Sequence, residues 1–406
     1  MTLKLNTYRN NTELANLHGV PIYMADMVDA SLRGRLNVFL QGDTGSGKTQ
    51  VVRDVMRYFG DKSLFILGRN DMDTRELFQQ VNPTFLKAIR EGRETGDGMK
   101  FKELTDRVNY NFIGVDELPN CVPAVRAQLF NLFDGFIEID GKAYPLGSGY
   151  SVGMATGNIG QQFTESANEL GRALKDRMHV IIDTDYFRPK PSDTFEILAA
   201  DRNPRVRFDG SLEDRTVEMI KAHQELQARE VPFEKYIAAG YLVHGLDYLE
   251  NGRSKIKLKA GWPNKLEAHE AGSDAALILP VSPRAAKSII TLSQALDAVA
   301  HEKGATEIDP LNSMMTAFKF VGAYSGILNE SKVIQDYDGD RYKAIDAVVD
   351  TTRTQFKSQK GNIVAGLEMA EKGKKNKKIL NQFTGRWEFM RDVIEHLADQ
   401  EHETTR

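Results

Sequence analysis

The chain runs on two hydrophobic rhythms. In its first half, five short and nearly unbroken apolar runs, at 37–40, 64–67, 112–115, 150–155 and 179–182, are each bounded by Gly, Asp, Asn or Ser. Between them the apolar residues recur at helical spacing. Strands that are apolar on both faces and alternate with helices predict an α/β fold with a five-stranded parallel sheet covered on both sides. Pro123 is placed to open one intervening helix, whose apolar face carries Val125, Leu129, Leu132 and Phe133.

Two segments depart from this rhythm. In FIEIDGKAYPLG, Ile137 and Ile139 alternate with polar residues ahead of Asp140-Gly141, a two-residue turn signal, which predicts a β-hairpin set between the third and fourth strands. Residues 187–191 form a linker with two prolines, and helical spacing dominates beyond it. Within that helical half, SKIKLKAGWP alternates Ile256, Leu258 and Ala260 with lysines and reads as a small strand insert. Further on, Ile345, Val348, Val349 and Phe356 share one helical face, and Trp387, Met390, Ile394 and Leu397 another.

Composition narrows the classes. With 406 residues, 41% of them hydrophobic and 27% charged, the chain can build a substantial core. A net charge of −4 gives no global attraction to nucleic acid or an anionic membrane. The lone cysteine, Cys121, excludes an internal disulfide framework and reads as a packing residue. MTLKLNTYRNNTEL lacks the apolar core of a signal peptide and no run approaches a membrane span, so a cytoplasmic location and no membrane partner are expected. The scattered histidines form no zinc pattern.

The chemistry concentrates after the first strand. Gly42, Asp43, Thr44, Gly45, Ser46, Gly47, Lys48 and Thr49 fit the phosphate-loop pattern G-x-x-x-x-G-K-[ST], between a strand and a helix. Glycines let successive backbone N–H groups turn toward phosphate oxygens, and the helix N-terminus adds positive potential. Lys48 is then expected to reach the β- and γ-phosphates of ATP, and the Thr49 hydroxyl to bind Mg²⁺. The third run ends in Asp116-Glu117. A carboxylate there, Asp116, suits completion of the Mg²⁺ shell, and Glu117 suits polarising the attacking water.

With these residues in hand, the chain resembles AAA+ ATPases, and within them the MoxR branch of the helix-2-insert clade. The resemblance spans roughly residues 19 to 325, and FNLFDGFIEIDGKAYPLGSGYSVGMATGNIG follows that branch's run closely. It implies a P-loop αβα core over 19–188 behind an N-terminal arm at 1–18. A helical lid with a small insert at 189–325 and a C-terminal helical extension at 326–406 complete the expected division. It also implies a homo-oligomeric ring, usually a hexamer, with ATP sites between subunits. By position, Asn158 in MATGN is similar to sensor 1, Arg177 in KDRM to the arginine finger with Arg172 as the alternative, and Arg284 in LPVSPRA to sensor 2. Departures are plain: Leu118-Pro119-Asn120 stands where the family has Asn-Arg, Ile159 where it has Pro, and Met178 where it has Phe.

The expected function is therefore Mg-dependent ATP hydrolysis coupled to remodelling of a protein client, with a von Willebrand A-domain partner on a separate chain as the family implies. A nucleic-acid motor is the alternative, against which stands the lack of a basic domain. A slow nucleotide-gated scaffold is another, against which stand Glu117, Asn158 and Arg177. Three weaker features stay open. Asn70 is a turn residue or a brake on Glu117, KGKKNKK at 372–378 is a solvated loop or an anionic contact, and the tip at Asp140-Gly141 is a decoration or a client contact.

Overall fold

The computed structural model describes residues 3–5, 10–69, 77–91, 102–139, 141–158, 175–200, 205–206, 214–258, 261, 263–264 and 266–404. The chain divides into two compact units: Met1–Arg229 with Ala298–Lys303, and Glu230–Asp297 with Gly304–Arg406.

The first unit opens with a hairpin, β1 (Glu13–Leu17) and β2 (Val20–Tyr23). His18 and Gly19 turn it with φ of 54° and 79°, the mirror-image geometry that matches strand twist. The apolar pattern misses this hairpin because a register irregularity between Glu13 and Ala15 breaks the alternation. Helix α1 (Met24–Arg33) follows, buried along its whole length. Then come β3 (Val38–Gln41), α2 (Lys48–Arg57), β4 (Ser63–Leu67), and an antiparallel pair, β5 (Gln79–Val81) and β6 (Lys102–Leu104), with α3 (Pro83–Arg90) between them. The rest is β7 (Phe112–Asp116), α4 (Pro123–Phe133), β8 (Phe136–Ile139), β9 (Lys142–Pro145), β10 (Val152–Gly157), β11 (Val180–Asp183), α5 (Pro191–Ala200) and α6 (Thr216–Ala228).

The five apolar runs become one parallel sheet in the order β11-β3-β10-β7-β4. All four residues of β3, all five of β7 and all six of β10 are buried, which is why they read as unbroken apolar runs. Glycines let the layers close in. A Cβ at Gly153 would lie 2.4 Å from the Phe133 ring, and one at Gly114 would lie 2.7 Å from Val52. The predicted hairpin forms as β8 and β9, with Ile137 and Ile139 buried and Gly141 at φ 73°. Asp140 at its tip lies outside the described residues.

The second unit is helical. Its longer helices are α7 (Phe233–Gly240), most of α8 (Pro283–Glu302), α9 (Pro310–Gly322), α10 (Glu330–Tyr337), the thirty-residue α11 (Arg341–Ala370) and α12 (Phe389–Thr404). The late helices pack on residues 230–297 of the same unit. The Trp387 ring centre lies 4.8 Å from that of Tyr241, tilted against it, and 4.9 Å from that of Phe356, edge-on, and Arg386 reaches Asp274 at 2.7 Å. Gly366 lets α11 meet α12, since a Cβ there would lie 2.4 Å from Ile394.

The expected strand at Ile256 and Leu258 is corrected. Among the described residues of that segment only Arg253–Ser254 pairs, with Tyr248–Leu249, and Lys255–Leu258 form a helical turn, while Ala260 lies outside the described residues. Asp247 decides this, because its carboxylate accepts the Ile256 N–H at 3.1 Å and caps the turn. Lys255 is then buried, donating to the Ile278 carbonyl at 2.8 Å.

Candidate active site

The glycine-rich loop leaves the C-terminal end of β3, a central strand, and ends at the first turn of α2. Gly45 and Gly47 both have φ of 79°, a region that glycine enters without steric cost. Gly42 is held closest: a Cβ there would stand 2.2 Å from Thr184 Oγ1. Lys48 begins α2, and its Nζ donates to the carbonyls of Gly42 at 2.9 Å and Asp43 at 2.7 Å, and to Ser46 Oγ at 3.2 Å. The ammonium therefore sits inside the curl of the loop, where phosphate oxygens would meet it.

The end of β11 braces this loop. Asp185 Oδ2 accepts the Asp43 N–H at 2.7 Å, and the Thr184 hydroxyl donates to the Gln41 carbonyl and lies 2.9 Å from Ser46 Oγ. Asp183 Oδ2 accepts from Gln41 Nε2 at 3.2 Å. Sequence reasoning missed these residues, and the available signal was the Asp-Thr-Asp that closes the fifth apolar run.

Asp116 and Glu117 emerge from β7, with β10 lying between β7 and β3. The Thr49 hydroxyl is 3.0 and 3.1 Å from the two carboxylate oxygens of Asp116. Thr156 of β10 fills the interval, donating to Asp116 Oδ1 and accepting the Glu117 N–H at 3.2 Å. Thr156 was not anticipated either, because only the strand order makes it a neighbour. An all-oxygen pair of a hydroxyl and a carboxylate suits Mg²⁺, which keeps several waters and takes few protein ligands. Among the described residues no group of three or more His, Cys, Asp or Glu forms a metal site of its own.

Glu117 is exposed and takes a left-handed conformation, φ 56° and ψ 41°, which costs about 1 kcal/mol for a residue with a Cβ. Its carboxylate accepts from Asn120 Nδ2 at 2.9 Å. The bend aims Glu117 away from the strand while Asp116 stays buried. Cys121 packs fully buried against this bend, and burial pushes its thiol up from the ordinary value, which fits a packing residue.

Asn158 follows β10 by one residue, half-buried and on the same edge of the sheet as Asp116. Arg177 lies at the opposite edge. It precedes β11, whose Val180 pairs with Val38 at the start of β3, so the length of a strand, about 13 Å, separates it from its own loop. Its Nε bonds Asp134 Oδ2 at 2.8 Å and its guanidinium lies 4.8 Å from the Phe130 ring centre. Buried Asn37 fixes this segment, donating to the carbonyls of Phe133 at 2.7 Å and Arg177 at 3.0 Å. Arg284 stands exposed in the first turn of α8, in the second unit. Arg172 and Asn70 lie outside the described residues.

A five-stranded parallel sheet in this order, with a phosphate loop after a central strand and an acidic pair two strands away, defines an AAA+ ATPase domain. Residues 37–178 match the family described as AAA domain (dynein-related subfamily). Among solved structures, the chain is similar to a candidate ATPase from Cytophaga hutchinsonii, with TM-score 0.53 and 17% identity, over 80% of this chain and 88% of that one. That likeness speaks to the fold alone. A full-length MCM homolog from Methanopyrus kandleri, at TM-score 0.45 and 14% identity over 74% and 55% of the two chains, is too distant to bear on this one. No curated protein sequence matches the chain. Among the described residues no helix is long and apolar enough to cross a membrane.

Proposed function

We propose that this protein is a MoxR-type AAA+ ATPase that hydrolyses ATP at the subunit interfaces of a ring, a hexamer, and uses the energy to remodel a protein client. The observation that carries the reading is the contact of Thr49 and Asp116 in the grip of Thr156, with Glu117 turned outward beside them. In this reading Lys48 binds the β- and γ-phosphates, and Thr49 with Asp116 holds the ion. Magnesium, when bound, offsets phosphate charge. Glu117 takes a proton from the attacking water, Asn158 orients that water, and Arg284 reaches the nucleotide from the lid.

Arg177 is assigned to the neighbouring subunit's site. A cation a strand's length from its own phosphate loop has no role there, whereas in a ring it can offset charge developing on the next subunit's γ-phosphate. The division into an arm at 1–18, a core at 19–188, a lid at 189–325 and an extension at 326–406 is part of this proposal, as are a cytoplasmic location and a separate von Willebrand A-domain partner.

The test is a trap. Glu117→Gln keeps the binding groups but removes the base, so turnover is expected to fall at least ~100-fold while Mg-ATP binding persists. Loaded with Mg-ATP in a lysate of the source cell, it should retain a protein client. Lys48→Ala, which loses a charge-assisted contact worth about 2 kcal/mol, should retain none. Recovery of nucleic acid alone would replace the client reading with the nucleic-acid motor. Rings that form and turn over no faster than Glu117→Gln would replace it with the scaffold.

A further inference from the structure

At the edge of the sheet opposite the glycine-rich loop, the first unit holds a cavity of about 370 Å³. Arg35, Ser151, His179, His223, Asp134 and Gln227 are among the residues that line it. Its chemistry is that of a receptor for negative charge. Arg35 spends only its Nε, donating to the Ser151 carbonyl at 3.3 Å, and its two terminal nitrogens have no protein acceptor among the described residues. His179 Nδ1 accepts the Asn37 N–H at 3.0 Å, so its proton sits on Nε2 and the ring is a donor there. His223 Nδ1 faces the Arg33 carbonyl at 2.7 Å, which fixes its proton on that atom and leaves the Nε2 lone pair to accept from a protonated phosphate oxygen. The one carboxylate in the lining, Asp134, is already balanced by Arg177 at 2.8 Å.

A second observation points independently to a ligand. The Ser151 hydroxyl has no hydrogen-bond partner among the described residues, although Ser151 is only 5% exposed. Burying a hydroxyl with nothing to bond is unfavourable by itself, and an acceptor in the cavity would relieve it. A guanidinium fork repels a cation, and with a hydroxyl, the His179 Nε2–H and a His223 nitrogen that accepts from a P–OH it matches the oxygens of a hydrogen phosphate.

We propose that this cavity is a second phosphate site, separate from the glycine-rich loop, in which Arg35, Ser151, His179 and His223 hold inorganic phosphate or the phosphate of a small monoester. No group of the loop takes part in the site, and the one residue it shares with the proposed ATP cycle is Arg177, which balances Asp134 here and is assigned there to the neighbouring subunit.

The experiment uses the full chain carrying Lys48→Ala, which weakens phosphate binding at the loop. Inorganic phosphate is titrated in while the ring nitrogens of the histidines are followed by NMR, and glycerol 3-phosphate is titrated in parallel. The signals of His223 and His179 should move saturably. Adding Arg35→Gln should weaken the affinity at least tenfold, and adding Ser151→Ala at least threefold. Ser151→Ala discriminates a ligand contact from a structural role, since removing an unsatisfied hydroxyl should leave the melting temperature unchanged or higher while phosphate affinity falls. A preference for phosphate or for the monoester supports the site either way and identifies the source of the group. Histidine signals that stay still with both probes, or affinities unchanged in both variants, overturn the proposal.

Discussion

At the scale of single residues, the site separates groups that sequence spacing can reveal from groups that only the sheet brings together. Lys48, Thr49, Asp116 and Glu117 are legible because their chemistry demands a fixed local pattern: glycines before a helix, or a carboxylate pair closing a buried strand. Thr156, Thr184 and Asp185 are not, because each becomes a neighbour only through the order of β3, β10 and β11. Glu117 adds a property that no motif states, a left-handed backbone held against its own preference. Glu117→Gly is therefore expected to stabilise the first unit by up to about 1 kcal/mol while abolishing turnover. Urea unfolding beside an ATPase assay checks this, and a loss of stability on making the change would show that the bend is not strained.

At the scale of elements, the apolar runs found every strand of the central sheet: in β3, β7 and β10 full burial leaves no alternation to confuse the reading, and edge strand β4, of which only Ile66 is buried, still shows an unbroken apolar run. The short elements escaped. The β1–β2 hairpin is broken by an irregular register, and the turn at Lys255–Leu258 depends on capping by Asp247, a partner outside the pattern. Helix packing is equally hidden: nothing in the spacing of α11 singles out Gly366, yet its missing side chain sets how closely α12 approaches. Gly366→Val should cost about 2 kcal/mol, seen as a lower melting temperature of the second unit with nucleotide binding retained. Adding Ile394→Ala should recover part of the loss. An unchanged melting temperature for Gly366→Val would show that this helix pair has room to separate.

At the scale of the whole molecule, the two units should respond to pH in opposite senses. In the first, burial raises the Asp29 carboxyl from 3.8 to about 6 against the pull of Arg33. Between those values the folded unit holds a proton that the unfolded chain has released, so this group's contribution to stability falls as pH rises through about 4 to 6. In the second, burial lowers Lys255 from 10.5 to about 7 against the pull of Asp274. There the unfolded chain is the one that binds the extra proton, so stability rises with pH from about 7 to 10. Each slope is at most about 1.4 kcal/mol per pH unit, and Asp29→Asn should flatten the first and Lys255→Met the second. Chemical unfolding across pH reads both, and a slope that survives its substitution would assign that pH dependence to other groups. The optical probes will not see the two units equally. Trp387 lies in the aromatic cluster of the second unit, and the chain's only other tryptophan, Trp262, is numbered within that unit's span. Fluorescence excited at the red edge, where tyrosine no longer absorbs, has no emitter in the unit that carries the glycine-rich loop. A nucleotide titration that leaves this emission unchanged therefore says nothing about whether the loop is filled.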